Sequence, residues 1–548
     1  MKTMKQIPWY KNAVFYEVYV RAFYDSNADG HGDIAGLTQK LDYLKGLGVD
    51  CIWLLPIYPS PLKDDGYDIA DYTHILPTYG TLEDFKILLD EVHGRGMRLI
   101  TDLVLNHTSD QHPWFQAARA DRSSPYRDYF VWSDDDQKYG DARIIFLDTE
   151  KSNWTWDEQA GQYFWHRFFA SQPDLNYDNP KVEEEMLNVV KYWLDMGIDG
   201  FRVDAVTYLI ERDGTNCENL PETHAYLKKL RCFVDEHYTD KILLCEANQL
   251  PQDVVEYFGN GDEFNLGFNF PVMPRIFKAL CKEDATDIIN ILNQTPPLPD
   301  GCQWCTFLRN HDELTLEMAS EEERQWMWQV YAPDARMRLN QGIRRRLAPL
   351  LDNDRRKIEL AFALLFSLPG SPFLYYGDEI GMGDNIWLDD RNGVRTPMQW
   401  NKGMHAGFSS APPERGISSL YAPILSDPIY EPEKVNVEDQ IHNPASLFNT
   451  IKQLIRIRKE HYAFGAGTLV WADVQEKSVL AFYRGYEEQR ILVISNLSGS
   501  VQPVQIALKE KLFSTAVELT SGEPITATSG NAIKLVLKPY QYLWIQLS

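Results

Sequence analysis

Long apolar runs are missing from this chain. No window reaches ~18 uninterrupted apolar residues, which excludes a transmembrane helix. The opening residues, MKTMKQIPWYKNAVFYEVYV, carry neither the apolar core nor the small-residue cleavage site of a secretory signal, so the sequence predicts a cytoplasmic protein. Cysteine is scarce: seven in 548 residues, an odd number and widely scattered, which speaks against a disulfide-stapled secreted fold. Cys302 and Cys305 form a C-x-x-C, yet no second pair or histidine cluster completes a zinc site, and no metal or redox role is assigned there. Positive charge is also in short supply. The 54 Lys and Arg stand against 79 Asp and Glu, leaving a formal charge of −25 that repels phosphate backbones and acidic membranes. Nucleic acid and membrane are thereby excluded as partners in favour of a neutral or cationic small molecule. Internal repeats and low-complexity tracts are absent.

Aromatic residues are plentiful, with 15 Trp and 29 Tyr. Flat rings suit the C–H faces of sugars, although most tryptophans belong in cores. The length exceeds what one hydrophobic core sustains, so more than one domain is expected. Short β-branched and aromatic runs alternate with amphipathic stretches, as in parallel βα units. The strand candidates are 14–20, 51–57, 97–107, 200–206, 241–247, 263–269, 303–312 and 372–379. Helices are expected at 37–48, 81–95, 180–196, 224–238 and 355–368. The pattern predicts an α/β fold, a (β/α)8 TIM barrel built from residues 1–106 and 178–461. About 90 aromatic- and turn-rich residues separate the third and fourth strands, too many for a simple connection. They predict an inserted subdomain at 107–177. A lid-like excursion is expected at 313–351, and alternating strands over 462–548 read as a C-terminal antiparallel β-sandwich.

Catalytic groups of such barrels lie at the C-terminal ends of the strands. Four strands here close on acids or histidines: Asn106-His107, Asp204, Glu246 and His311-Asp312. In GFRVDAV (200–206), Arg202 and Asp204 share one face of a strand while Phe201 and Val203 take the other. One such pair is accounted for by an ion pair between layers; four strand ends on one rim point to chemistry. Two carboxylates on facing strands suit a retaining glycosidase, one as nucleophile and one as proton donor. Arg202 is expected to lower the pKa of Asp204, as a nucleophile requires. Glu246 ends the apolar run ILLC with no cation in its local sequence, so desolvation is expected to raise it toward an acid/base role. Asp312 is placed to stabilise an oxocarbenium-like transition state.

The stretches DLVLNH (102–107), GFRVDAV, LLCEAN (243–248) and FLRNHD (307–312) resemble, in order and spacing, the four motifs of the alpha-amylase superfamily, glycoside hydrolase family 13. The resemblance covers essentially the entire chain and implies Asp204 as nucleophile, Glu246 as acid/base and Asp312 as transition-state stabiliser. It further implies that Asp64, Tyr67, His107, Arg202, His311 and Arg395 hold the attacked glucosyl unit. QPDLN (172–176) resembles the fifth motif of members acting on small α-glucosides. The segments 307–324 and 336–351 are similar to those of trehalose synthases, the members that interconvert maltose and trehalose, which makes these disaccharides the implied partners and an α-glucosidase the nearest rival. The acidic and basic clusters at 321–323 and 344–346 read either as gating ion pairs or as solvated helix faces. Homo-oligomer formation is left open, and no organic cofactor is needed.

DSNADGHGD (25–33) alternates oxygen-bearing side chains as a calcium loop does, with Asp25, Asn27, Asp29, Asp33 and the His31 carbonyl available to one calcium or magnesium ion. A plain polar turn is the alternative. The family resemblance alone implies a second calcium, held by Asn106, Asp174, Glu211 and the carbonyls of Tyr208 and Leu209. Both ions are expected to be structural.

Overall fold

The computed structural model describes residues 7–412, 420–507, 516–525 and 532–548. Eight parallel strands close a barrel: β1 (Phe15–Val18), β2 (Cys51–Leu54), β3 (Arg98–Val104), β4 (Gly200–Asp204), β5 (Ile242–Cys245), β6 (Leu266–Phe268), β7 (Gln303–Phe307) and β8 (Ser371–Tyr375). Seven lie within the expected runs and β8 begins one residue ahead of its own, at Ser371; each neighbours its successor around the ring, with β8 returning to β1. The runs are apolar on both faces because helices cover the outside and side chains fill the inside. Gly200 opens β4 at φ 146°, where a Cβ would sit 2.0 Å from the Ile242 carbonyl oxygen; only glycine lets β4 approach β5 there.

The helices begin and end on local signals. Pro180–Met196 starts at a proline behind the Asn179 cap and stops at Gly197 with φ 113°. Leu82–Gly94 begins with a Thr81/Asp84 capping box. The stretch expected as one helix over 37–48 is two, Ile34–Gln39 and Leu41–Leu47.

Between β3 and β4 the chain builds a subdomain with helix Pro113–Ala120 and a three-stranded antiparallel sheet of Trp132–Ser133, Gln162–Trp165 and Trp154–Asp157. Bridges from His107 to Asp174 and from Phe130 to Leu175 tie its exit back to its entrance. After β7 the excursion folds as helix Glu321–Tyr331 and a small sheet of Leu314–Thr315, Gly342–Ile343 and Arg338–Leu339. The basic cluster is neither a gate nor a solvated face, whereas Glu321 and Glu322 of the acidic one lie exposed on their helix, as a solvated face does. Glu323 pairs with Arg275 and Lys278 on a barrel helix, whereas Arg345 and Arg346 pair with Asp384 and Asp378, and Arg344 binds the carbonyls of Ile386, Leu388 and Asp390. Arg346 is wholly buried, so these arginines anchor the base of the excursion to the loop after β8.

The C-terminal unit stacks a five-stranded antiparallel sheet on a two-stranded one, Gln502–Ala507 with Ala532–Leu537. Val479, Ala481, Leu492 and Ile494 of the larger sheet meet Val504, Ile506, Ile533 and Leu537 of the smaller, which is the expected sandwich. The buried Arg484 joins it to the barrel by donating to the carbonyls of Ser367, Ala463, Phe464 and Gly467. All seven cysteines are free thiols. Among the described residues, no helix is long and apolar enough to cross a membrane.

Candidate active site

Arg202 is the hub of the barrel's C-terminal rim. Projecting from β4 beside Asp204, its guanidinium lies 2.5 Å from Asp102 on β3, 2.6 Å from Asp204 and 2.5 Å from Glu246 at the end of β5. Sequence reading assigned the cation to Asp204 alone; the barrel brings Glu246 to it as well. Sharing one guanidinium brings the two carboxyl groups to the same point of the rim, the pairing that a retaining mechanism requires. Immediately after Asp204 the backbone turns through a left-handed alanine, Ala205 at φ 49° and ψ 37°, and its N–H donates to Glu246 Oε2 at 3.1 Å. That strained turn aims the amide at the second carboxylate.

Burial dominates the electrostatics. It pushes Asp204 up to about 6, with Arg202 the largest opposing influence, so the expectation of a lowered pKa is corrected: desolvation outweighs a guanidinium that must serve three acids. Burial raises Glu246 further, to about 8, with Arg202 pulling down and the charge on Asp204 pushing up. The order needed for nucleophile and acid survives although the direction for Asp204 does not. Asp312 goes the other way. Burial would raise it, but the His311 ring, Arg391 and Arg395 hold it well below the carboxylate range.

These groups floor a cavity of about 140 Å³ whose lining includes Asp64, Tyr67, His107, Asp204, Glu246, His311 and Asp312. Tyr67 stacks on His311, and Asp64 accepts from Gln172 of the QPDLN stretch at 2.9 Å. Burial raises Asp64 to about 7 and lowers His107 to about 3, and His107 Nε2 has no partner within the protein. Two predicted substrate contacts work from behind the wall. Arg202 and Arg395 are not among the lining residues, and Arg395 holds Asp312 at 3.1 Å and the His311 carbonyl at 2.9 Å.

The cation that does line the cavity is Arg391, 3.0 Å from Asp312, 2.9 Å from Glu313 and 3.8 Å from Asp64. It was missed, and its signal was a second arginine in the same RNGVRTPMQW stretch. Also missed were Phe146, Phe168, Asn248, Glu317 and Asn340, which line the same cavity. Here the excursion meets the subdomain: the Asn340 backbone N–H donates to Asp148 at 2.7 Å, and Arg143 bridges Glu218 and Glu317.

The predicted metal residues divide. In the 25–33 loop, both carboxylate oxygens of Asp25 and of Asp33 already accept loop amides or hydroxyls, while Asn27 and Asp29 accept the amides two residues ahead. No buried side-chain oxygen of that loop is orphaned. At the second set the reverse holds: Asn106 Oδ1, Asp174 Oδ2 and Glu211 Oε1 are all buried without a hydrogen-bond partner. Burial pushes Asp174 and Glu211 well up, and the charge on Asp174 raises Glu211 further. Two acids and an amide left unsatisfied in this way fit a hard cation. No three His, Cys, Asp or Glu among the described residues converge as a metal site, so the set depends on its amide and carbonyl oxygens.

A model of the alpha amylase catalytic domain matches residues 17–467, and one of the maltogenic amylase C-terminal domain matches residues 471–544. With a closed (β/α)8 barrel and its acids on the C-terminal rim, the chain belongs to the alpha-amylase family, glycoside hydrolase family 13. Within that family it is 55% identical to a trehalose synthase of Pimelobacter sp. (strain R48), over 98% of this chain and 96% of that protein. An oligo-1,6-glucosidase of Halalkalibacterium halodurans is 32% identical over 92% of this chain and 93% of that protein. The crystal structure of the trehalulose synthase MutB from Pseudomonas mesoacidophila MX-45 superposes with a TM-score of 0.81 at 29% identity, covering 99% of this chain and all of that one.

Proposed function

We propose that this chain interconverts maltose and trehalose by intramolecular glucosyl transfer. The observation that carries the reading is the Asp204–Glu246 pair on one guanidinium, beneath a cavity whose roof is latched where Asn340 meets Asp148. Asp204 attacks C1 of the non-reducing glucosyl unit as the bond from C1 to the glucose O4 breaks, and Glu246 gives that oxygen its proton. The product is a covalent glucosyl-Asp204. The freed glucose turns inside the cavity, its anomeric hydroxyl gives a proton back to Glu246, and its oxygen attacks C1 from the face it left as the bond from C1 to Asp204 breaks, freeing the carboxylate and giving trehalose with net retention. Water reaching the same intermediate gives glucose, so some hydrolysis accompanies transfer.

Asp64, Tyr67, His107 and His311 bind the attacked sugar, Arg391 takes the contact first assigned to Arg395, and Arg202 and Arg395 position acids from behind. Asp312 stays ionised to face the oxocarbenium-like charge. A calcium ion would sit among Asn106, Asp174, Glu211 and the carbonyls of Tyr208 and Leu209, pinning the subdomain to the barrel. The 25–33 loop is the second candidate, for calcium or magnesium. The free cysteines favour a cytoplasmic location.

Maltose incubated with excess isotopically labelled glucose tests the reading. Trehalose that is almost wholly unlabelled, with glucose a minor product, is the expected result. Heavy label in trehalose marks an open transglucosylase, and glucose as the main product marks a hydrolase; either outcome refutes it.

A further inference from the structure

β1 carries into the barrel interior one carboxyl group that the scheme above does not use. Glu17 pairs with Trp53 of β2 and Tyr375 of β8 in the ladder and is 1% exposed. Its Oε1 lies 2.5 Å from His311 Nδ1 and accepts the His311 backbone N–H at 3.1 Å. On the far side of the ring, Nε2 is 3.2 Å from Asp312 Oδ2 and 2.9 Å from the Tyr67 hydroxyl, which lies 3.3 Å from Asp102. The ring is clamped between Tyr67, stacked at 5.4 Å, and the indole of Trp53 at 5.7 Å.

The proton count along this line decides the tautomer. The Tyr67 hydroxyl donates to Asp102 and so accepts from the ring, and ionised Asp312 beside the same nitrogen can only accept, so the proton on that side belongs to Nε2. The Nδ1···Oε1 contact then needs one proton of its own. Either a neutral carboxylic acid donates to a neutral imidazole, or a carboxylate accepts from an imidazolium. Both partners are buried, and desolvation favours the neutral pair. It drives Glu17 up and His311 down. Around the ring, Arg202 from β4 and Arg391 and Arg395 from the loop after β8 oppose a further cation, with Asp312 the group that favours one.

We propose that Glu17 is a positioning residue for glucosyl transfer: as a buried carboxylic acid it donates to Nδ1 and holds His311 as the neutral tautomer whose Nε2–H faces Asp312 and the cavity. The inference rests on reading the site as a glucosyl-transfer centre. Its consequence is that His311 offers a hydrogen bond without placing an imidazolium beside the positive charge that develops on the sugar.

Fluoride release from α-glucosyl fluoride reports formation of the glucosyl-enzyme whatever the acceptor. Glu17→Leu should lower that rate about 100-fold with little change in KM, because the ring loses its fixed tautomer. Glu17→Gln, whose amide N–H can donate to Nδ1 although its nitrogen no longer accepts the His311 backbone N–H, should restore it in part, to within about tenfold of wild type. A Leu variant as fast as wild type, or a Gln variant as slow as the Leu one, overturns the proposal. Should the Leu variant fail to fold, ring-15N histidine spectra of the wild type decide instead, with His311 assigned by its disappearance in His311→Asn. A neutral ring protonated at Nε2 from about pH 5 to about 9 is expected. An imidazolium or an Nδ1–H pattern overturns it. Absence of fluoride release from the wild type would instead sink the glucosyl-transfer reading, and the spectra would still decide the role of Glu17.

Discussion

The proton inventory of the catalytic pair predicts the shape of the pH–activity curve. Glucosyl transfer needs Asp204 ionised and Glu246 protonated, and burial leaves them at about 6 and about 8. As pH falls through about 6 the nucleophile gains a proton and activity is lost; as pH rises through about 8 the acid loses its proton and activity is lost again. A bell-shaped kcat/KM for maltose is therefore expected, with limbs that belong to the interacting pair. Between the limbs the singly protonated enzyme dominates, at about 80% of the population near pH 7. Glu246→Gln assayed with α-glucosyl fluoride, which needs no proton for departure, should lose the alkaline limb and keep the acid one. Arg202→Met should move the acid limb upward, because the cation that opposes burial is gone. An alkaline limb that persists in Glu246→Gln, or an acid limb unmoved by the loss of Arg202, refutes the assignment.

Three further outcomes are expected. Asp204→Asn should cut both transfer and hydrolysis by about 10⁴-fold or more at an unchanged melting temperature; substantial residual turnover would remove Asp204 as nucleophile. Calcium at a hundredfold excess over its Kd should stabilise the fold by about 3 kcal/mol, a gain that chelator reverses and Asp174→Asn reduces; a melting curve indifferent to metal would leave Asn106, Asp174 and Glu211 without an ion. Asp148→Ala, which removes the carboxylate that accepts the Asn340 N–H where the excursion meets the subdomain, should raise the glucose-to-trehalose product ratio several-fold by admitting water to the intermediate, and an unchanged ratio would deny the latch its role.

The sequence by itself determined the eight strands, the ends of Pro180–Met196, the subdomain, the C-terminal sandwich and the acids Asp204, Glu246 and Asp312. These features are local: a period of two, a proline or glycine at a helix end, or an acid closing an apolar run is written in adjacent residues. Tertiary structure alone decided which charges meet. Arg202 serves Asp102 from β3 and Glu246 from β5 as well as its strand neighbour, and no window around GFRVDAV contains either partner. The direction of the Asp204 shift was misread for that reason, since desolvation sums over everything packed around a group whereas sequence displays only its nearest cation. Arg391 and Arg395 lie four residues apart in one loop, and only its path around the rim puts one in the cavity and the other behind Asp312. Glu17 reads in sequence as an isolated acid in a strand. It becomes the partner of His311, 294 positions away, because closing the barrel sets β1 and the end of β7 within hydrogen-bond reach of one another.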